Sequence, residues 1–285
     1  TSVYLGDIRS RGSKMKNGEA TGAQPVAEMF VDDSLKISQG SARRGASAWY
    51  YPIDGGDFDE LVHYLETHTD GNNAGWCLTD EYREKLLSGD KEAVKRWGQM
   101  LSCKGNVGSG YQFFKSKANR KTPKMYKDKG LEVKASQLCS EITLFSDEEN
   151  TYTCVLSSEN LRNWDNRPDM LAFVGTVLLD CVAEDFIVKA KTKAGLERAI
   201  KFTEENRALG YGAMAFHTYL LDHNVVWGSL ESKFINELMF STIKKEAVQA
   251  TEWLAKVLGE PEMCKGYGVR NTHLLAIAPT KSTAL

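Results

Sequence analysis

The chain has 285 residues, 42% of them hydrophobic and 26% charged, with a formal net charge of -2. That composition suits a soluble globular protein with enough length for a large core. A near-neutral balance argues against DNA or RNA as the main partner, and no apolar run approaches the ~20 residues that would span a bilayer.

Taken in chain order, the opening Thr1-Ser2-Val3-Tyr4 reads as strand-like and carries no features of a signal peptide. A start at Thr1 without methionine reads as a fragment or trimmed chain. Helices are expected at about Pro25 to Lys36, Asp57 to Glu66, Asp80 to Leu87, Glu92 to Leu101, Pro168 to Asp185 and Ala213 to Asp222. Apolar Ile235, Leu238, Met239, Ile243, Ala247, Ala250, Leu254 and Val257 recur at helical spacing from Phe234 to Leu258. Ser229 or Ser232 offers a cap for that helix, and Gly259 with Pro261 ends it. Strand-like runs fall at Ala48 to Tyr51, Glu141 to Leu144, Thr151 to Leu156 and Leu274 to Ile277. Strands alternating with helices give an α/β class, in which chemistry collects at strand ends and the loops that follow. No linker or repeat marks a boundary, so residues 1–285 read as a single domain, incomplete at both ends.

The six cysteines, Cys77, Cys103, Cys139, Cys154, Cys181 and Cys264, form no Cys-x-x-Cys pair and stand near no histidine at ligand spacing. They suggest neither structural zinc nor a secreted disulfide framework, and fit a reducing cytoplasm. Cys103, Cys181 and Cys264 read as packing residues, as do Trp97, Trp164, Trp227 and Trp253. The five histidines share no helical face and read as surface or core residues. The basic stretch from Lys115 to Lys134 reads first as a solvated loop and second as an effector-nucleotide surface.

Cys139 stands between Gln137 and Glu141 at alternate positions. In extended backbone these three side chains share one face, which sets an amide, a thiol and a carboxylate side by side. Such a row can bind a substrate, react through sulfur and accept a proton. Taken alone, Cys-x-Glu is more often a core thiol beside a solvent carboxylate. The flanking segments decide otherwise. Gln39-Gly40-Ser41-Ala42-Arg43-Arg44-Gly45-Ala46 lies upstream, and Gly108-Ser109-Gly110-Tyr111 with Asn119 and Pro123 follows. Cys154-Val155-Leu156-Ser157-Ser158-Glu159-Asn160-Leu161 comes next, after the polar turn Asp147-Glu148-Glu149-Asn150. Then come Arg207-Ala208-Leu209-Gly210-Tyr211-Gly212, Arg270-Asn271 and Ala276-Ile277-Ala278-Pro279-Thr280-Lys281-Ser282-Thr283.

In this order the segments resemble the large, catalytic subunit of ribonucleotide reductase, over nearly the whole chain. The resemblance implies part of a ten-stranded α/β barrel with a central finger loop, in a viral or cellular enzyme that reduces ribonucleotides for DNA synthesis. It makes Cys139 the thiyl-radical cysteine, Glu141 the proton-accepting carboxylate, Gln137 the neighbouring amide and Cys154 a reducing thiol. Thr21 becomes a substrate contact, with a helix cap as the alternative. Pro279, Thr280, Lys281, Ser282 and Thr283 become the phosphate loop, built on hydroxyls and backbone N–H groups at a helix start.

Two departures accompany the resemblance. Gln137 stands where the family has asparagine, and the position of the second reducing cysteine falls on Ile37, with Cys77 as a displaced substitute. The implied partners are a radical-generating small subunit that holds the metal, or adenosylcobalamin in its place. Ribonucleotide substrate, nucleotide effectors, a thiol reductant such as thioredoxin or glutaredoxin, and a second copy in a homodimer complete the list. No cofactor or metal is expected within the segment, and no nucleic acid or membrane as partner. The rival expectation is a non-catalytic nucleotide-binding barrel that has lost its reducing pair.

Overall fold

The computed structural model describes residues 1–37, 45–281 and 283. Residues Gln39 to Arg44 and Ser282, singled out above, lie outside the described residues. The chain forms two compact units, Thr1–Thr122 with Glu132–Phe145, and Pro123–Leu131 with Ser146–Leu285.

The first unit contains β1 (Ser2–Tyr4), the short hairpin β2 (Lys14–Met15) and β3 (Gly18–Glu19), then α1 (Gln24–Lys36), β4 (Ser47–Pro52) and α2 (Phe58–Thr67). It continues with β5 (Asn72–Leu78), α3 (Asp80–Leu87), α4 (Lys91–Val107), β6 (Tyr111–Phe114) and α5 (Lys115–Lys121). Four strands form a parallel sheet in the order β1-β4-β5-β6, with Tyr50 in register with Tyr4 and Gly75. Because β4 and β5 are covered on both faces, their residues are buried almost throughout rather than alternately. On one face Trp49, Tyr51 and Trp76 pack with Phe58, Leu61 and Leu65 of α2 and Met100 and Cys103 of α4. The Trp49 indole N–H donates to Asn72 Oδ1 at 2.8 Å, so burying that ring leaves no unpaired donor. On the other face Ala48, Tyr50, Cys77 and Phe113 meet Val133, with Leu138 packed against them.

Local chemistry fixes the ends of these helices. Thr79 accepts the Tyr82 N–H and Asp90 the Ala93 N–H as N-caps, and Gly108 ends α4 with φ of 71°. Asp57, at the start of α2, serves another element: its carboxylate accepts the backbone N–H groups of Arg11 (2.7 Å) and Ala23 (2.8 Å). Thr21 is exposed and is not the cap of α1, a position that falls on Ala23.

The expected strand at Glu141 to Leu144 is absent: residues 132–145 return beside the sheet without a strand among them. Asn119 supplies the reason, because its side-chain amide pairs with both backbone groups of Val133, at 2.8 and 2.9 Å, and stands in for a neighbouring strand. Four cations of the basic stretch form ion pairs. Lys115 pairs with Glu132, Lys134 with Asp7, Arg120 with Asp80 and Lys124 with Asp128.

The second unit contains α6 (Lys124–Asp128), β7 (Leu156–Asn160), α7 (Leu171–Ala190), α8 (Glu197–Asn206), β8 (Gly210–Met214), α9 (Phe216–Asp222) and α10 (Leu230–Leu258). β7 and β8 pair in parallel, and Tyr211 bridges to Leu275. Three expectations are corrected here. The strand expected at Thr151 to Leu156 begins only at Leu156, and that at Leu274 to Ile277 reduces to the one bridge. The helix expected from Ala213 starts at Phe216, because Gly210 to Met214 form β8 and Ala215 breaks the chain with φ of 63°. A Cβ on Gly212 would lie 2.1 Å from the Ala276 carbonyl oxygen, so this strand requires glycine where the following segment packs on it.

The long helix α10 is capped by Ser229, which accepts the Ser232 N–H, and stops at Gly259. Trp97 and Trp164 pack against the cores, but Trp227 and Trp253 are exposed, and so is Cys181 on the outer face of α7. Those three are therefore not core residues, although Trp227 meets Phe216 at 5.9 Å and Trp253 meets Phe173 at 5.7 Å between ring centroids. No helix among the described residues is long and apolar enough to cross a membrane.

Candidate active site

Residues 136–142 form a loop whose backbone turns at Cys139. The Ser140 N–H donates to the Gln137 carbonyl at 3.1 Å, and Ser140 adopts a left-handed φ of 67°. A non-glycine residue in that region costs of the order of 1 kcal/mol, so other contacts must hold the turn. They come from within the unit. The Tyr50 hydroxyl donates to the Gln137 carbonyl at 2.8 Å, and Ser140 Oγ, 3.1 Å from the phenol oxygen, is left to donate back to it. Ser136 Oγ donates to the Ile142 carbonyl, and Ser2 Oγ donates to the Ser136 carbonyl at 3.0 Å. Leu138 anchors the apolar side beside Tyr50, Cys77 and Phe113.

This turn replaces the expected extended row. Gln137 is buried, at 9% exposure, and its Oε1 accepts the Ile142 N–H at 3.3 Å, so the side-chain oxygen braces the loop. Cys139 is exposed at the turn. Glu141 is half-buried, and its Oε2 is enclosed with no hydrogen-bond partner among the described residues. An enclosed carboxylate oxygen without a donor is costly.

The remaining expected residues sit as follows. Cys154 is exposed on the approach to β7. The preceding turn is held by Asp147 Oδ1, which accepts from the Glu149 N–H and the Asn150 side-chain amide, both at 2.9 Å. Pro279 and Lys281 are exposed, and Thr283 closes a turn onto the Thr280 carbonyl through its N–H (3.2 Å) and hydroxyl (3.0 Å). Thr280 has a left-handed φ of 50°. Ile37 caps the C-terminus of α1 and is 69% exposed. Cys77 is buried in β5, its thiol donating to the Lys134 carbonyl at 3.5 Å, and burial pushes it up to about 12. A thiol held protonated in that way is a poor partner for thiol–disulfide exchange.

Two buried charge clusters were not legible as such. Arg167, 8% exposed, forks onto both Glu159 and Glu246, and Tyr211 donates to Glu159 at 2.7 Å. Arg207, Arg270 and Asn271, known from the sequence only as scattered motif residues, converge on Asp180 of α7. No group of three or more potential metal ligands gathers among the described residues.

The family model for the ribonucleotide reductase barrel domain matches residues 78–263. A putative ribonucleoside-diphosphate reductase large subunit of Frog virus 3 is 32% identical over 98% of this chain and 53% of its own length. The ribonucleoside-diphosphate reductase large subunit of Invertebrate iridescent virus 3 is 33% identical over 74% of this chain and 33% of its own. Among solved structures, the Actinobacillus ureae class Id ribonucleotide reductase alpha subunit superposes with a TM-score of 0.92 at 37% identity, over 99% of this chain and 54% of that one. The chain thus spans between a third and about half of the length of these relatives. Its α/β fold agrees with the resemblance read from the sequence, and the chain belongs to the ribonucleotide reductase barrel-domain family.

Proposed function

We propose that this chain is catalytic-subunit sequence of a ribonucleoside-diphosphate reductase, and that both of its units belong to one barrel domain. The observation that carries the reading is the loop itself: an exposed thiol at a braced turn, two residues from a carboxylate oxygen enclosed without a donor. A ribose offers that oxygen a hydroxyl group and offers the sulfur a carbon-bound hydrogen.

In this reading a radical generated outside the segment oxidises Cys139 to a thiyl, which takes the 3′ hydrogen of the ribose. Glu141 accepts the 3′-hydroxyl proton while the 2′-hydroxyl leaves as water. Two thiols supply the two electrons and the two protons, one for the departing water and one for C2′, and end as a disulfide. Glu141 returns its proton to the 3′ oxygen and Cys139 returns the hydrogen to C3′. Cys154 is one of the two thiols, and Thr21 and Pro279 to Thr283 are the substrate and phosphate contacts. Gln137 acts by holding the loop. The radical source is a metal-containing small subunit, with adenosylcobalamin as the alternative. Nucleotide effectors, a thioredoxin or glutaredoxin type reductant, a homodimer and a cytoplasmic location, that of the host for a virus, belong to the same reading.

The test uses the full-length protein with a radical-generating subunit, a ribonucleoside diphosphate and dithiothreitol as reductant. Deoxyribonucleotide product is expected. Nucleotide binding without any reduction would favour the non-catalytic barrel, the reading to which the departures at Gln137 and Ile37 point.

A further inference from the structure

We infer that Tyr50 is a positioning residue for Cys139, fixing the thiol-bearing turn from beneath by hydrogen bonds to the residues on either side of it. The inference rests on the catalytic reading of Cys139 given above.

Tyr50 lies on β4, an interior strand of the sheet, and is 0% exposed. Its ring meets Phe113 edge-on at 5.9 Å, and on its strand-neighbour side Gly75 leaves it room: a Cβ there would fall 2.1 Å from the ring. Ring and strand together make a rigid post. At its tip, one phenol oxygen serves both Gln137, two residues before Cys139, and Ser140, one residue after it. The turn between them contains the left-handed Ser140, which its own sequence does not favour. A side chain buried this fully at a sheet centre is held in one rotamer, so a turn bonded to it inherits its position. Burial pushes the Tyr50 hydroxyl up to about 12, so it remains a donor throughout the physiological range.

A thiyl radical must meet one ribose hydrogen, and misplacement by about an ångström costs roughly a hundredfold in rate. Tyr50 touches no reacting atom in this scheme. It acts by setting where Cys139 stands. Phenylalanine keeps the ring, its packing against Phe113 and its fit over Gly75, and removes only the oxygen.

The experiment compares full-length native protein with Tyr50→Phe and Ser140→Ala, assayed with the radical-generating subunit and a ribonucleoside diphosphate. Amide hydrogen exchange is followed in parallel without substrate. For Tyr50→Phe, kcat is expected to fall roughly ten- to a hundredfold, with KM within about twofold and an unchanged thermal midpoint. Exchange is expected to speed up at least about tenfold at the Ser140 and Ile142 amides, which the turn protects, and not in β4 or β5. Ser140→Ala, which removes one of the two bonds, is expected to fall between. Unchanged exchange at Ser140 and Ile142, or faster exchange spread evenly over the sheet, would overturn the positioning role, as would a change in KM alone. The exchange result stands whether or not the native protein reduces ribonucleotides, so failure of the catalytic reading and failure of this inference remain distinguishable.

Discussion

Arg167 and Glu246 meet through two parallel hydrogen bonds, at 2.9 and 2.7 Å, with both side chains under 10% exposed. The same guanidinium forks onto Glu159 at 3.0 and 3.2 Å and lies over the Trp164 ring at 5.0 Å. One cation thus compensates two buried carboxylates in the second unit. Arg167→Met is expected to leave both uncompensated and to cost about 3–5 kcal/mol of stability, read by urea unfolding. Arg167→Lys is expected to recover only part of this, because an ammonium cannot reproduce two planar forks. A loss below about 1 kcal/mol for Arg167→Met would show the cluster to be dispensable.

The pair also sets an acid limit. Burial pushes Glu246 up, but hydrogen bonds from Arg167 and from the Ala172 N–H outweigh it and hold the carboxyl below the ordinary 4.5. A carboxyl with a depressed folded-state value contributes stability above about pH 4.5 and loses it as pH falls through that folded value. The urea midpoint is therefore expected to drop steeply below about pH 4.5, and Glu246→Gln to flatten that limb while lowering stability near neutrality. Parallel acid limbs for the native protein and the variant would contradict the assignment.

Gly75 faces the post that holds the active loop. A Cβ placed 2.1 Å from the Tyr50 ring cannot be absorbed by a side chain packed between two strands. Gly75→Ala is expected to cost about 1–3 kcal/mol through overpacking. It should also loosen the Ser140 and Ile142 amides in hydrogen exchange, although residue 75 lies far from Cys139 in sequence. An unchanged loop in a destabilised variant would mean that the ring has another place to go.

Much of this was written plainly in the sequence. Ser229, Gly259 and the apolar spacing between them give α10 its length and both ends, and Trp49-Tyr50-Tyr51 reads as strand. β5 was not legible, because Asn72-Asn73-Ala74-Gly75 has the composition of a loop. Gly75 is in fact the space that the Tyr50 ring occupies, a tertiary reason that local sequence does not express. Cys139 and Glu141 stood out through their motif, whereas the turn between them did not. Serine has no strong preference for left-handed backbone, and the hydroxyl that steadies it comes from 90 residues away in the chain. Alternation of side chains along 137, 139 and 141 therefore failed as a guide, since it presumes an extended segment.

Glu141 supplies a separate test of the chemistry. Glu141→Gln preserves size and keeps a carbonyl oxygen to accept a hydrogen bond, but it cannot take a proton. Ribonucleotide reduction is expected to fall by about a hundredfold or more, with nucleotide affinity nearly unchanged. A comparable loss of affinity would instead make Glu141 a binding residue.

The most direct measurement is deoxyribonucleotide formation by the full-length protein and its Cys139→Ala variant, each given the radical-generating subunit, a ribonucleoside diphosphate and a dithiol. The account expects product from the native protein and none above background from the variant, with nucleotide binding retained in both. Product formation that survives Cys139→Ala would contradict it.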